Sequence, residues 1–311
     1  MNVIDQALTD EYAIYNGDSC EVIKAFDDES VGYIIYSPPF DSLYTYSNSD
    51  RDMGNSDKGE FMQHFKFLAR ELHRVLKPGR LMSFHCINLP TSKARDGFIG
   101  IRDFRGELIR LFEEIGFIFH SEVCIWKDPV IAQQRTKALG LLHKQVIKDS
   151  AMSRQGIPDY LVTMRKRGEN AEPISGAFTY YCGDGSRVTA KFDESKGNLN
   201  RGSIEVWQRY ASPVWMDINP SNTLSLKGSR DDDDEKHICP LQLDVIERGI
   251  QMWSNPGDVV FTPFLGIGSE VYQAVKMGRK GIGIELKSSY FRVAKKNCEL
   301  ALKERAQKTL F

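Results

Sequence analysis

Two short stretches of the chain carry residue types that could do chemistry together. The first is Ile34-Ile35-Tyr36-Ser37-Pro38-Pro39-Phe40, an apolar run that stops at two consecutive prolines. Prolines fix φ and have no N–H, so the loop is rigid. The Pro38 carbonyl has no route into a sheet ladder and can point at a ligand. The Ser37 hydroxyl lies beside it, and Phe40 supplies a flat face. Two acceptors and one aromatic face suit a planar group bearing an exocyclic amine, which donates two hydrogen bonds while its ring stacks. The second stretch is Val259-Val260-Phe261-Thr262-Pro263-Phe264-Leu265-Gly266-Ile267-Gly268-Ser269, followed by Gly281-Ile282-Gly283-Ile284-Glu285. A strand runs into a glycine turn and a helix, and an acid closes the next strand. Glycines let backbone approach a ligand closely, and a helix N-terminus favours an anionic group. An acid at the second strand end can accept hydrogen bonds from both hydroxyls of a ribose. The third glycine of the dinucleotide fingerprint is missing, because Val271 stands there.

The elements that must position these stretches read as α/β. Tyr12–Tyr15 suits a short strand, turned by Asn16-Gly17-Asp18, and Val31–Tyr36 suits a strand buried on both faces. Phe61, Phe65, Leu68, Leu72, Val75 and Leu76 recur at helical spacing, and Lys77-Pro78-Gly79 ends that helix. Leu81–Phe84 reads as a strand, Leu108, Leu111, Phe112 and Ile115 as a helix stopped by Gly116, and Phe117–Trp126 as a strand. This alternation predicts a mostly parallel sheet covered on both faces. From Lys127 to about Lys236 the rhythm lapses, and Arg230-Asp231-Asp232-Asp233-Asp234-Glu235 forms a charge run that suits a solvent-facing hinge. The rhythm resumes at Cys239, with helices over 241–253, 269–277 and 288–303 and strands over 258–262 and 281–285.

Composition bounds the function classes. The chain has 311 residues, 41% of them hydrophobic, enough for one large or two moderate domains. No apolar run approaches the roughly 20 residues needed to cross a bilayer. Residues 1–5 lack the basic and apolar regions of a signal peptide, so a cytoplasmic protein is expected. Cys20, Cys86, Cys124, Cys182, Cys239 and Cys298 are widely spaced with no CxxC pair, which argues for reduced thiols and against a metal cluster. The formal net charge of -1 hides segregation: residues 1–60 hold thirteen acids and three bases, 127–170 nine bases and four acids, and 274–311 ten bases and three acids. A basic patch of this kind is what a nucleic-acid footprint needs. The C-terminal segment is read as a solvated helix face, and 127–170 as the footprint.

Taken together and in this order, the two stretches resemble the S-adenosyl-L-methionine (AdoMet)-dependent amino-methyltransferases of DNA, in the β-type arrangement where the catalytic motif precedes the cofactor motif. Ser37-Pro38-Pro39-Phe40 matches that family's (D/N/S)PP(Y/F), Phe264–Ser269 its FxGxG(S/T), and Glu285 its ribose-binding acid. Gly17-Asp18-Ser19 matches a short upstream element, and Arg74–Arg80 the stretch after the catalytic loop. The resemblance covers roughly 11–127 and 236–298. Two departures touch the cofactor pocket: Thr262 stands where the family commonly has Asp, and His237-Ile238-Cys239-Pro240-Leu241-Gln242 replaces its usual HPTxKP.

The resemblance implies a Rossmann-like AdoMet-dependent methyltransferase sheet with helices on both faces, plus an irregular target-recognition insertion. It divides the chain into a catalytic half (1–127), a recognition region (128–236) and an AdoMet-binding half (237–311). It assigns catalysis to Ser37, Pro38, Pro39 and Phe40, and cofactor binding to Asp18, Phe264, Gly266, Gly268, Ser269 and Glu285. Arg135, Lys137, Lys144, Lys148, Arg154, Arg165, Lys166 and Arg167 are the candidate contacts to double-stranded DNA. Within the family a serine at the first motif position leans toward cytosine N4 and an aspartate toward adenine N6, so cytosine N4 is the expected target with adenine N6 the alternative. RNA and protein amides are weaker candidates, because the protein-directed relatives tend to carry Asn there. A carbon-5 cytosine enzyme needs a nucleophilic cysteine, normally in a Pro-Cys pair, and the chain contains none. An inactive AdoMet-fold nucleic-acid-binding protein and a nucleotide-dependent oxidoreductase remain as readings of other classes; the intact motifs oppose the former and the missing third glycine the latter. A homodimer and a cognate restriction enzyme stay open as further partners.

Overall fold

The computed structural model describes residues 3–40, 60–174, 201–225 and 240–308. In chain order the strands are β1 (Asp5–Leu8), β2 (Tyr12–Asn16), β3 (Val31–Tyr36), β4 (Leu76–Ile87), β5 (Leu89–Thr91), β6 (Gly100–Arg102), β7 (Phe117–Ile125), β8 (Asp159–Lys166), β9 (Val214–Trp215), β10 (Val259–Thr262) and β11 (Lys280–Glu285). The helices are α1 (Ser19–Val22), α2 (Glu60–Val75), α3 (Lys93–Asp96), α4 (Phe104–Ile115), α5 (Pro129–Thr136), α6 (His143–Lys148), α7 (Arg201–Tyr210), α8 (Leu243–Trp253), α9 (Ser269–Lys276) and α10 (Ser288–Lys308).

Among the described residues, nine strands form one sheet in the order β1-β2-β11-β10-β3-β4-β8-β7-β9, and β5 and β6 form a separate pair. Neighbours from β2 through β11, β10 and β3 to β4 run parallel. β3 is at the centre and all six of its residues are buried, as its unbroken apolar run requires. Side chains alternate along it. Ile34 and Tyr36 join a core with Phe61, Phe65, Leu72, Leu108 and Phe112 of α2 and α4. Tyr33 and Ile35 join another core with Val245, Ile246 and Ile250 of α8 and with Tyr210 and Trp215. The expected Rossmann-like sheet with helices on both faces is therefore present.

The chain leaves β10 for β11 on one side and β3 for β4 on the other. The strand order reverses between β10 and β3, and the loops leaving their carboxyl ends diverge there. Open α/β sheets bind ligands in such a crevice. The Phe264 turn and the Ser37 loop both start from it.

The lapse of rhythm after Lys127 conceals one strand. Residues 159–166, inside the segment expected to be irregular, form β8, which lies antiparallel between β4 and β7. Its apolar residues Leu161, Val162 and Met164 are buried on both faces of the sheet, so the apolar–polar alternation of a half-buried strand is absent. The acidic run at 231–235, with Cys182, His237, Ile238 and Cys239, lies outside the described residues.

Candidate active site

The cofactor side is built from backbone. After Thr262 the chain turns through Gly266 (φ 53°) and Gly268 (φ 94°) into α9, a conformation that only glycine adopts without cost. A Cβ at Gly268 would sit 3.1 Å from the Ala294 Cα, whereas one at Gly266 would meet nothing within 4 Å. So Gly268 presses the turn onto α10, and Gly266 leaves its backbone open to a ligand. Glu285, at the end of β11, closes the turn. One carboxylate oxygen accepts the Gly266 N–H at 2.7 Å and the other the Lys287 N–H at 2.8 Å. A third segment is stitched in: the Asn16 amide donates to the carbonyls of Glu285 (2.8 Å) and Leu286 (3.0 Å), and the Ser19 hydroxyl donates to that of Pro263. The Asp18 carboxylate accepts the Cys20 N–H at 2.9 Å as the N-cap of α1, and Ser269 is buried at the start of α9.

These residues fit an adenosyl group. The cradle offers open backbone at Gly266 and a carboxylate fixed at the end of β11. It also holds a buried hydroxyl, Thr262 Oγ1, with no hydrogen-bond partner in the protein. Phe264 has a different place from the rest. Its ring packs 5.8 Å from that of Tyr36 and stacks at 6.4 Å on Phe65, so it locks the cofactor turn onto the strand that carries Ser37.

The Ser37 side of the crevice is built from side chains. Pro38 and Pro39 are buried, while Ser37 and Phe40 are partly open. The Ser37 Oγ lies 2.9 Å from Nδ1 of His85 on β4, and the Phe40 ring meets the same imidazole edge-on at 6.1 Å. Behind His85, its Nε2 is 3.2 Å from Oδ2 of Asp159, the first residue of β8. The two face each other as an ion-pair contact, and Nε2 has no hydrogen-bond partner. Lys127, just beyond β7, pairs with Oδ1 of Asp159 at 2.5 Å. Burial alone pushes the Asp159 carboxyl up, but His85 and Lys127 outweigh it and hold the group below its ordinary value.

His85, Asp159 and Lys127 were not foreseen. The usable signal was a histidine inside the otherwise apolar run Leu81–Ile87, on a strand next to the Ser-Pro-Pro loop. Its partners come from β7 and β8, and only the fold brings them near.

The basic candidates separate into two groups. Arg135, Lys137, Lys144, Lys148 and Arg154 lie on an arm, residues 128–158, in which no residue is buried. The arm leaves the sheet at Lys127 and returns at Asp159, so that ion pair closes its neck. Arg165 and Lys166 lie elsewhere. β8 runs antiparallel, with Asp159 opposite Ile87 and Arg165 opposite Leu81, which sets Arg165 roughly 20 Å down the strand from Asp159 at the usual rise. Arg165 donates to the carbonyl of Gly168, and Arg167 follows at the same far end. Lys166, expected to meet DNA, is a correction: it is buried, and its ammonium is held by the Leu76 carbonyl at 2.7 Å, the Arg74 carbonyl and Glu29. It closes the sheet rather than facing a partner.

Comparison with known proteins bears on the family and the fold. The pattern of a DNA methylase family spans residues 31–296. The Type II methyltransferase M.BamHI of Bacillus amyloliquefaciens is 26% identical over 300 residues, which cover 96% of this chain and 57% of M.BamHI. The Type II methyltransferase M.PvuII of Proteus hauseri is 24% identical over 305 residues, covering 91% of this chain and 82% of its own. The structure of the cytosine-N4-specific PvuII DNA methyltransferase superposes with a TM-score of 0.62 at 18% identity, covering 98% of this chain and 96% of that one. TTHA0409 of Thermus thermophilus, a candidate DNA modification methylase solved with S-adenosyl-L-methionine, superposes with a TM-score of 0.64 at 20% identity over 93% of both chains.

Proposed function

From the premise that this chain belongs to the DNA methylase family, we propose that it moves the methyl group of AdoMet to the exocyclic amine of a base flipped out of double-stranded DNA, with cytosine N4 as the target. The observation that carries the reading is the Ser37 hydroxyl, held by His85 at 2.9 Å beside the buried Pro38 and Pro39. The cytosine-N4 specificity of the PvuII enzyme, which shares this fold, supports the choice of base.

AdoMet supplies an electrophilic methyl group when bound. Everything else falls to this chain's residues. An exocyclic amine is a poor nucleophile because its lone pair is delocalised into the ring. Ser37 and the Pro38 carbonyl accept its two N–H groups, which favours a pyramidal nitrogen with its lone pair free to attack in line. No covalent enzyme intermediate is required. Flipping the base costs a few kcal/mol, and stacking on Phe40 returns about 1–3 kcal/mol of it. Glu285 and the open backbone at Gly266 hold the cofactor across the crevice, with Asp18 capping α1 and Ser269 buried at the start of α9 beside them. The exposed bases of the 128–158 arm meet the DNA phosphates, which position the duplex without reading its sequence. No helix among the described residues is long and apolar enough to cross a membrane.

The test is direct. The protein is incubated with mixed-sequence DNA and methyl-labelled AdoMet, and the DNA is hydrolysed to nucleosides. Label in N4-methyldeoxycytidine is expected. Label in N6-methyldeoxyadenosine overturns the choice of base, and DNA without label overturns the activity.

A further inference from the structure

We infer that His85 and Asp159 form a proton relay behind Ser37, which takes up the proton that the target amine must lose when it is methylated. The inference rests on the DNA amino-methyltransferase reading and adds to it the destination of that proton.

The three groups come from three adjacent parts of the sheet. Tyr36 pairs with Phe84 in the β3–β4 ladder, so Ser37 and His85, each one residue further on, are neighbours on one face. Leu161 lies opposite His85, and Asp159 lies two positions earlier on β8, on that same face. His85 and Asp159 are 8% and 2% exposed. An ionised carboxylate at that depth costs several kcal/mol unless it is matched by charge. Lys127 matches it from the solvent side, and its other oxygen is left turned toward the imidazole. The buried negative charge 3.2 Å from Nε2 draws the imidazole proton to that nitrogen by electrostatics rather than by a full hydrogen bond, which leaves Nδ1 as the lone-pair nitrogen, 2.9 Å from the Ser37 oxygen. The hydroxyl donates to Nδ1 and turns its own lone pairs outward, toward the amine. The Phe40 ring packs edge-on against the same imidazole.

The amine lone pair forms the N–C bond, and the electron pair of the breaking C–S bond goes to sulfur, which ends as a neutral thioether. The nitrogen, now with one bond too many, passes a proton to the Ser37 oxygen as the Ser37 hydroxyl proton passes to His85 Nδ1. The products are a neutral methylated amine and an imidazolium facing the Asp159 carboxylate. The positive charge that left sulfur thus comes to rest beside a buried negative one, and the proton is released to water before the next turnover. His85 and Asp159 act through Ser37 and are positioning residues; only Ser37 touches the substrate.

Two readouts test this on the full chain. In protein labelled with 15N-histidine, His85 is assigned among the six histidines by its loss in His85→Asn. The Nε2–H tautomer is expected in the parent, with that preference lost in Asp159→Asn. An Nδ1–H tautomer in the parent, or an unchanged tautomer in Asp159→Asn, overturns the relay without any reference to activity. The second readout is single-turnover methyl transfer at saturating DNA. His85→Asn should be slower by about 10²-fold, at the low end of general acid–base effects. The double variant His85→Asn/Asp159→Asn should be no slower than His85→Asn alone, because the two act as a unit. A His85→Asn protein that keeps the parent rate overturns the relay while leaving the methyltransferase reading intact. A parent that labels no DNA overturns the methyltransferase reading first, before any variant is compared.

Discussion

The two sides of the crevice do similar jobs with different materials. On the β10–β11 side, Glu285 fixes a turn by accepting backbone N–H groups of Gly266 and Lys287, and every partner is within a few residues of a strand end. On the β3–β4 side, Ser37 is fixed by a side chain, which is backed by a second and then a third, from β4, β8 and the end of β7. A cofactor that is the same in every turnover suits a cradle of backbone, which has little freedom to move. A base that must enter, react and leave, and that must also lose a proton, suits side chains that can hold and pass one. The difference therefore teaches that the two sides should fail separately. Damage on one should change how tightly the cofactor is held. Damage on the other should change how fast the methyl group moves.

The largest effect expected is on the side-chain side. Ser37→Ala removes the hydroxyl proposed to hold the amine. Losing one preorganised hydrogen-bonding group costs on the order of 10²–10³ in rate, and that loss should fall on kcat because the contact matters most at the transition state. AdoMet affinity should stay near that of the parent. Phe40→Ala should differ by also weakening capture of the flipped base. Single-turnover transfer at saturating DNA, beside calorimetric AdoMet titration of the same preparation, separates these effects. A Ser37→Ala protein at the parent rate would reduce Ser37 to a loop residue. A joint collapse of transfer and AdoMet binding would erase the distinction between the two sides.

Glu285→Ala is the matching change on the backbone side, and a smaller one. Hydrogen bonds to a charged group contribute about 1.5–3 kcal/mol, which corresponds to a loss of roughly 10- to 150-fold in AdoMet affinity. DNA affinity should be nearly unchanged. The apo protein should also unfold at a lower temperature, since Gly266 and Lys287 lose their acceptor. Unchanged AdoMet affinity would remove Glu285 from the cofactor side altogether.

The same contrast explains what the sequence revealed. The Gly266 turn with Glu285 and the Ser37 loop are each written in consecutive residues. Strand, turn glycines, helix start and closing acid must follow in order, so composition and spacing suffice to find them. β3, α4 with its Gly116 stop, β10 and β11 were legible for the same reason. His85 was not, because a histidine in an apolar strand gives no sign of what lies opposite. Asp159 and Lys127 were further hidden, because they meet only after an arm with no core of its own has left the sheet and returned. β8 gave no period-2 signal, being buried on both faces. Lys166 misled for a related reason: beside Arg165 and Arg167 it reads as one of three phosphate contacts, and only the fold shows two carbonyls over its ammonium.

The smallest expected effect tests which bases belong to the DNA side. The arm residues Lys144 and Lys148 are exposed on a segment without buried residues, so each is free to meet a phosphate at no cost to folding. A protein that neutralises phosphates releases counterions, and the logarithm of its affinity falls with the logarithm of salt by about 0.9 per contact. Lys144→Ala should therefore flatten that slope by about one unit. AdoMet affinity and thermal stability should not move, since no residue of the arm is buried. Lys166→Met is the control at the far end of β8. It leaves the carbonyls of Leu76 and Arg74 short of a donor, which costs about 1–3 kcal/mol of stability, and it should leave the salt slope untouched. DNA affinity measured across a series of salt concentrations, beside thermal unfolding of the same two variants, decides the matter. Should Lys166→Met flatten the slope while Lys144→Ala leaves it alone, DNA would approach the opposite end of the sheet. Ser37 would then have no base to hold, and the side-chain half of the site would need another substrate.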